Sequence, residues 1–251
     1  MSAFDAFVVL AGGMAAGAIN AVVGSGTLIT FPVLIALGYP PVVANVSNTI
    51  GLVPGSLAGA WGYRRELAGQ RGRVTRLLLA SVAGGALGAV LLLELPAAAF
   101  KSIVPGFIVL ALALVVLQPR LAGVLESRRT RPLSIGGPAP VAGLFLCGVY
   151  GGYFGAAQGI IILGLLGFLA HESLQHANAI KNVLAGATNL VAGLIFAVAA
   201  PVNWQVAGVI AVGATVGGLL GARVGRKLSP RVLRGLIVAV GCVAVVQLVR
   251  S

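Results

Sequence analysis

The sequence predicts an all-α membrane protein built from two inverted-topology repeats, and three observations support this class. The 251 residues are 59% hydrophobic and only 9% charged, whereas a soluble domain carries about 25% charged residues. Two long apolar stretches are each interrupted by a cluster of glycine and small residues. Finally, the two halves of the chain share one residue pattern but carry their basic residues in different loops.

Six segments have the roughly 20-residue apolar length that a transmembrane helix needs. They are 40–63, 75–94, 99–118, 177–200, 203–222 and 231–249. Two further apolar stretches, 4–38 and 137–171, are too long for one helix. They contain the breaks Gly24-Ser25-Gly26 and Gly155-Ala156-Ala157-Gln158-Gly159. Counting each interrupted stretch once, the sequence predicts about eight hydrophobic segments.

The basic residues predict how these segments cross the membrane, because cytoplasmic loops are enriched in Lys and Arg. Most of the 17 basic residues fall into three clusters, at 64–76, 120–131 and 223–234. If these clusters are inside, segment 137–171 must begin and end inside, which predicts a re-entrant hairpin. The repeat then predicts that 4–38 is a hairpin entering from outside, with both chain termini outside.

A shift of 133 residues without gaps superposes the two halves. It places Gly26 on Gly159, Asn45 on Asn178, Asn48 on Lys181, and Thr49 on Asn182. The charges do not repeat, since the basic loop at 64–76 falls on the uncharged 197–209. Two copies with opposite charge bias indicate an inverted-topology repeat, an architecture of secondary transporters. The predicted units are a first repeat 1–118, a basic cytoplasmic linker 119–136 and a second repeat 137–251.

The two breaks and the helices that follow them contain the candidate binding residues. The second arm of the first hairpin, 27–37, would be about 16 Å long as a helix, half of the roughly 30 Å hydrocarbon core. Arms entering from opposite faces would therefore bring the hairpin tips near the midplane, where helix N-termini attract anions. The predicted substrate-binding residues are Ser25, Gly26, Thr27, Asn45, Asn48, Gln158, Gly159, Asn178, Lys181 and Asn182.

Each of these features also has a simpler structural interpretation. Buried asparagines often serve only to bond one helix to another. Lys181, a charge inside a predicted span, is either a functional residue or extends its ammonium group to the membrane surface. His171, Glu172 and His176 at the inner mouth of the second hairpin predict an interfacial cap, with proton coupling as the alternative. Glycine pairs such as Gly84 and Gly88 would allow close helix packing or a homodimer.

One stretch of the chain shows a family resemblance. A glycine-broken first segment leads through Pro32 and "ALGYPPVVANVSNTIG" into a helix ending "GYRREL", and a diverged second copy follows. This arrangement resembles the TauE/SafE family of sulfite and organosulfur-anion exporters over nearly the whole chain. The resemblance implies a location in the bacterial inner membrane and export of a small anion such as sulfite or an organosulfonate.

The residues themselves favour a secondary transporter of a small anion that works by alternating access. No carboxylate lies inside a predicted span, whereas Lys181 and two helix N-termini do. The expected partners are an anionic substrate and the lipid bilayer. Nucleic acid is not expected, because the basic residues form no stripe with interleaved aromatics. We expect no cofactor and no metal site, since Cys147 and Cys242 are isolated thiols.

The main alternative is a membrane-embedded enzyme, such as a lipid-pyrophosphate phosphatase. Hydrolysis would need a general base or metal-binding acids near the hairpin tips. The five acids are at segment edges or in loops, at Asp5, Glu66, Glu94, Glu126 and Glu172. We therefore predict no catalytic residue and no enzymatic activity. A scaffold subunit without transport is the third possibility, although a broken midplane would be a costly feature for one.

Overall fold

The computed structural model describes residues 1–67, 71–127, 137–170 and 174–224, together with positions 235, 238, 239 and 242. Within these ranges the chain forms nine α-helices and no strand. They are α1 Ala3–Val22, α2 Thr27–Ala36, α3 Pro41–Gly62, α4 Arg71–Glu94, α5 Ala97–Ser127, α6 Pro138–Tyr153, α7 Gln158–Ala170, α8 Leu174–Ala199 and α9 Trp204–Val224. Most of the predicted helix 231–249, as well as His171 and Glu172, lies outside the described residues.

Local chemistry sets the start of several helices. Ser2 and Asp5 form a capping box at the start of α1, which satisfies two free backbone donors. Pro41 and Pro138 occupy the first turns of α3 and α6, where the missing proline N–H costs nothing. Asn203 begins α9 by accepting a hydrogen bond from the Val206 amide at 3.1 Å.

Each predicted break separates two helices and is closed by the same local structure. Gly24 and Gly155 have φ values of 83° and 74°, in the left-handed region that favours glycine. The N–H groups of Val23 and Gly24 both donate to the Ile19 carbonyl, at 2.7 and 3.1 Å. The N–H groups of Phe154 and Gly155 donate in the same way to Tyr150, at 2.9 and 3.0 Å.

The matching tips correct the alignment of the two halves. Gly24 pairs with Gly155 and the helix start Thr27 pairs with Gln158, so the hairpins superpose at an offset of 131 rather than 133. The gapless shift of 133 was therefore wrong at the tips.

Contacts at glycine positions fix the relative directions of neighbouring helices. Gly213 and Gly221 of α9 face the carbonyls of Leu10 and Ala18 in α1, so these two helices are parallel. Further parallel contacts join α4 to α6, α3 to α9 and α4 to α8; they involve Gly148 with Ser81, Gly88 with Val149, Gly51 with Ile210, Gly55 with Ala214, Gly85 with Val191, and Thr188 with Ser81. In contrast, α3 and α8 are antiparallel, because Gly193 faces Ile50 whereas Gly186 faces Ser56.

These directions divide the helices into two sets. Helices α1, α3 and α9 run one way, and helices α4, α6 and α8 run the other way. The hairpin α1–α2 thus begins and ends on one side of the bundle, the side on which α3 begins. The hairpin α6–α7 likewise begins and ends on the side on which α8 begins. The glycine faces that suggested a homodimer, including Gly84 and Gly88, are filled by these internal contacts, and a homodimer stays a prediction.

The outer surface of the bundle is apolar. Five of the described helices are long and apolar enough to cross a membrane: Ala3–Val22, Val74–Glu94, Ala97–Leu117, Gln175–Ala199 and Trp204–Arg223. Large side chains such as Leu79, Leu194 and Val212 are exposed on them, as expected of a surface that faces lipid. The outer helices therefore have the length and the surface of membrane-spanning segments.

Helix α3 differs because its polar residues lower its hydropathy. It has 22 residues but is not among the five helices that are both long and apolar enough to cross a membrane. Its polar side chains are buried within the bundle: Asn45, Ser47, Asn48, Thr49 and Ser56. Packed against α1, α8 and α9, α3 is a central helix whose polar face is turned towards protein.

One helix is longer than the sequence predicts, and the hairpin arms differ in length, as the position of the predicted break implies. Helix α5 continues to Ser127, into the segment predicted as a linker. The hairpin arms are also unequal, since α1 has 20 residues and α2 has 10, or about 30 and 15 Å along the axis.

Candidate functional site

The tips of the two hairpins touch each other. The Gly159 N–H donates to the Gly24 carbonyl at 3.0 Å. A Cβ atom added to either glycine would collide with the Cα atom of the other. The same atom would lie 3.0 or 3.1 Å from Cδ of Lys181. The lysine side chain of α8 therefore packs directly against the contact between the tips.

Lys181 is fully buried, with 0% of its surface exposed. Its Nζ donates to the carbonyls of Asn20 at 2.8 Å and Ala21 at 3.1 Å. Asn182 adds a hydrogen bond to Ala21 at 3.2 Å. These carbonyls form the C-terminal end of α1, where the helix dipole favours a positive charge. The alternative that Lys181 extends to the membrane surface was wrong, and its role at the end of α1 was not foreseen.

The polar face of α3 reaches both hairpins. Asn48 donates to Thr27 Oγ1 at 3.4 Å and accepts a hydrogen bond from Thr30 Oγ1. Asn45 donates to the Tyr153 carbonyl at 3.0 Å. Sequence reasoning missed Thr30, although its position three residues after Thr27 places both hydroxyls on one face of a helix.

Ser25 lies at the start of α2 with an unused hydroxyl. Its side chain is 1% exposed, and its Oγ has no hydrogen-bond partner among the residues that the structure describes. The Leu28 and Ile29 N–H groups of the first turn already donate to the Ser25 and Gly26 carbonyls, at 3.1 and 2.9 Å. The Ser25 hydroxyl and the positive end of the α2 dipole therefore offer one free donor and a partial positive charge to an anion.

The remaining predicted residues contact neighbouring helices. A Cβ atom at Gly26 would lie 2.6 Å from the Ala16 carbonyl, so Gly26 faces α1 across the hairpin. Gln158 donates to the Cys147 carbonyl at 3.4 Å, which ties α7 to α6. Asn178 donates to the Tyr63 hydroxyl at 3.3 Å. These contacts give Gly26, Gln158 and Asn178 positions that hold the helices together.

All ten predicted substrate-binding residues are buried. Gly159 and Lys181 meet at the contact between the tips. Ser25 directly follows Gly24 of that contact, and Asn182 bonds to the nearby end of α1. Thr27, Asn45 and Asn48 lie on the adjoining face of α3 and α2. None of the eight with a side chain is more than 8% exposed. The centre of the bundle is therefore closed in this conformation.

Apolar helices around a buried polar centre define a multi-pass membrane protein. The chain belongs to the TauE/SafE family, since its residues 9–248 match the family model described as "Sulfite exporter TauE/SafE". The family and its members' names indicate a membrane transporter.

Similar proteins from three bacteria support this assignment. The chain is 30% identical over 231 residues to a "Probable membrane transporter protein" of Haemophilus influenzae, covering 90% of this chain and 87% of that protein. It is 28% identical over 236 residues to the Sinorhizobium sp "Probable membrane transporter protein ORF9", covering 93% and 88%. Identity to the Escherichia coli K12 "Probable membrane transporter protein YfcA" is also 28%, covering 92% and 84%. No solved structure matches the chain.

Proposed function

We propose that this chain is a secondary transporter that moves a small anion across the bacterial inner membrane by alternating access, with its substrate site where the hairpin tips meet. Export of sulfite or an organosulfonate is the specific activity, because the matching family model is described as a sulfite exporter. The buried ammonium of Lys181 beside the tip contact is the observation that carries this proposal.

The charge of Lys181 favours an anionic substrate. A buried charge is costly unless it is paired. Both hydrogen bonds of the ammonium go to carbonyls, which carry no net charge, and an ammonium has three donors. A bound anion would use the third donor and neutralise the charge. The unused Ser25 hydroxyl belongs to the same tip as Gly24, against which Lys181 packs.

The predicted residues divide into two roles. Lys181 and Ser25 contact the anion near the positive end of the α2 dipole, and Thr27 adds a hydroxyl that Asn48 orients. The remaining residues keep the tips and helices in position: Gly26, Asn45, Gln158, Gly159, Asn178 and Asn182.

An inverted repeat would supply the alternating access. The contacts of α1 with α9, of α4 with α6 and of α3 with α8 support such a repeat, because they give the helices that it would pair opposite directions. Each hairpin also begins and ends on one side. In transporters with such repeats, one unit rocks against the other around a fixed central site. The closed centre is an occluded state of that cycle.

Proteoliposome flux tests the proposal directly. Purified protein should support saturable uptake of sulfite, thiosulfate, sulfoacetate or a related anion from a screen that also includes sulfate and carboxylates. Empty liposomes are the control. The same preparations are assayed for hydrolysis of lipid pyrophosphate. Absence of anion flux with detectable hydrolysis would overturn the proposal in favour of the enzyme.

Lys181 variants test the site within that assay. Lys181→Gln should raise the apparent KM about tenfold or more, because about 1.4 kcal/mol of binding is lost. The loss should be larger for doubly charged anions than for singly charged ones, which a purely structural role would not produce. Lys181→Arg should keep part of the affinity, since it keeps the charge but changes the geometry. An unchanged KM in correctly inserted Lys181→Gln would remove Lys181 from the site.

A further inference from the structure

The two broken helices end differently although their backbones match. At the tip offset of 131, Asn20 and Ala21 of α1 correspond to Gly151 and Gly152 of α6. The first pair of carbonyls accepts the Lys181 ammonium. The second pair accepts no hydrogen bond from any residue that the structure describes. Asn48, which takes the place of Lys181 in the first repeat, bonds instead to Thr27 and Thr30.

A third oxygen without a partner lies at the same helix end. Asn45 is 0% exposed, and its Oδ1 atom has no hydrogen-bond partner among the described residues. Its Nδ2 atom is 3.0 Å from the Tyr153 carbonyl, the next carbonyl after those of Gly151 and Gly152. The side-chain amide of Asn45 is therefore held at the C-terminal end of α6.

We infer that the C-terminal end of α6 binds a monovalent alkali cation through the carbonyls of Gly151 and Gly152 and Oδ1 of Asn45. The end of a helix carries partial negative charge, and broken half-helix ends coordinate cations in other transporters. The three oxygens are neutral. A divalent ion such as Ca²⁺ normally takes carboxylate ligands, so a single positive charge fits this site better.

Lys181 supplies the internal precedent for this site. A charged ammonium already occupies the corresponding end of α1, and it is tethered to the chain. A cation bound at the end of α6 would supply a positive charge to that end of the second hairpin in the same way, but it could dissociate. Binding of this ion does not require that the chain transports anything. Its use as a coupling ion would rest on the proposed function.

The experiment measures binding without any transported anion. Purified protein in detergent is heated in chloride salts of Na⁺, K⁺ or N-methylglucamine at equal ionic strength, and unfolding is followed by the fluorescence of Trp61 and Trp204. At about ten times its Kd, the bound cation should raise Tm by about 3–6 °C above the value in N-methylglucamine, and this rise should saturate at higher concentrations. The Na⁺ and K⁺ series identify the ion. Equal Tm values in all three salts would overturn the inference and would indicate that water is the ligand of these oxygens.

Asn45 variants locate the ion. Asn45→Leu should abolish the cation-dependent shift, whereas the matched control Asn178→Leu should keep it, because Asn178 bonds to the Tyr63 hydroxyl. If Asn45→Leu does not fold, Asn45→Asp retains the volume and supplies a charged oxygen. That variant should lower the half-saturating cation concentration about tenfold. A full shift in Asn45→Leu, or unchanged half-saturation in Asn45→Asp, would rule out this site. Either result is independent of anion flux.

Discussion

The two hairpin tips have the same backbone conformation but different surroundings. The tip around Gly24 lies among polar groups: Lys181 and Asn182 bond to the end of α1, and Asn20 donates to Ser56 Oγ at 3.1 Å. The tip around Gly155 lies among aromatic rings. Phe154 packs edge-on against Phe31 at 5.1 Å between ring centroids, and Tyr150 packs against Phe107 at 5.3 Å.

The difference makes the centre of the bundle asymmetric. Glycine geometry and the doubled hydrogen bond to Ile19 or Tyr150 are retained in both tips. The side chains that face the tips have diverged, so that one tip is suited to charge and the other to apolar packing. Aromatic packing of this kind contributes about 0.5–1.5 kcal/mol per pair beyond area burial. We therefore expect the second tip to be the more rigid of the two.

Cysteine labelling tests most directly whether the two halves have opposite topology, because its outcome is all-or-none. Arg65 follows α3 and Pro201 follows α8, and both are exposed. Since α3 and α8 are antiparallel, Arg65→Cys should react only from the cytoplasm and Pro201→Cys only from outside. The background lacks Cys147 and Cys242. Permeabilised cells, in which both positions should react, are the control. Labelling of both from one side would disprove an inverted repeat.

Substitution at Gly24 should have the next largest effect. Gly24→Ala forces a Cβ atom into Gly159 and towards Lys181 at a φ of 83°. We expect transport to fall at least about a hundredfold, since small misplacements of a site can cost that much. Flux per inserted protein is the measurement.

Gly38→Ala is the matched control for Gly24→Ala. Gly38 has the same φ of 83° but no atom within 4 Å of an added Cβ. It should therefore lose about 1–2 kcal/mol of stability from backbone strain and retain transport. Equal loss of flux in both variants would mean that the tip contact has no special importance.

The Ser25 hydroxyl should have the smallest effect of the three. Ser25→Ala removes a group that has no partner in the described part of the chain, so thermal stability should change little. The KM for the anion should rise about three- to tenfold, because one hydrogen bond to the substrate is lost.

Ser56→Ala should have the opposite effect, a change in stability rather than in KM. Its hydroxyl accepts a hydrogen bond from Asn20 at 3.1 Å, so this variant should lose about 1 kcal/mol of stability with a nearly unchanged KM. If Ser25→Ala instead lowers Tm and leaves KM unchanged, Ser25 serves only to build the tip.

Much of the architecture could be read from the sequence because glycine clusters and apolar lengths are local signals. The interruptions at Gly24 and Gly155 and the polar helix around Asn48 are of this kind. The direction in which a side chain points is a different matter. Gly26 faces α1 and Gln158 turns back to α6, since rotation of each helix about its axis depends on partners distant in sequence.

The partner of Lys181 could not be predicted for the same reason. Its hydrogen-bond acceptors lie about 160 residues earlier in the chain, and carbonyls carry no residue-specific signal in a sequence. The offset of 131 at the tips also escaped the gapless alignment. Small residues such as Gly26, Gly159 and Ala157 fit either register, so composition alone did not fix the offset.

The parallel packing of α1 against α9 has a consequence for biosynthesis. Helix α1 finds its largest contact surface, which includes Gly213 and Gly221 of α9, only after about 200 further residues have been made. At about 5–20 residues per second this takes roughly 10–40 s. During that time the glycine-lined face of α1 has no native neighbour from α9, so the nascent chain depends on the insertion machinery or lipid to cover it. The first half of the chain therefore cannot complete its packing until the second half has been synthesised.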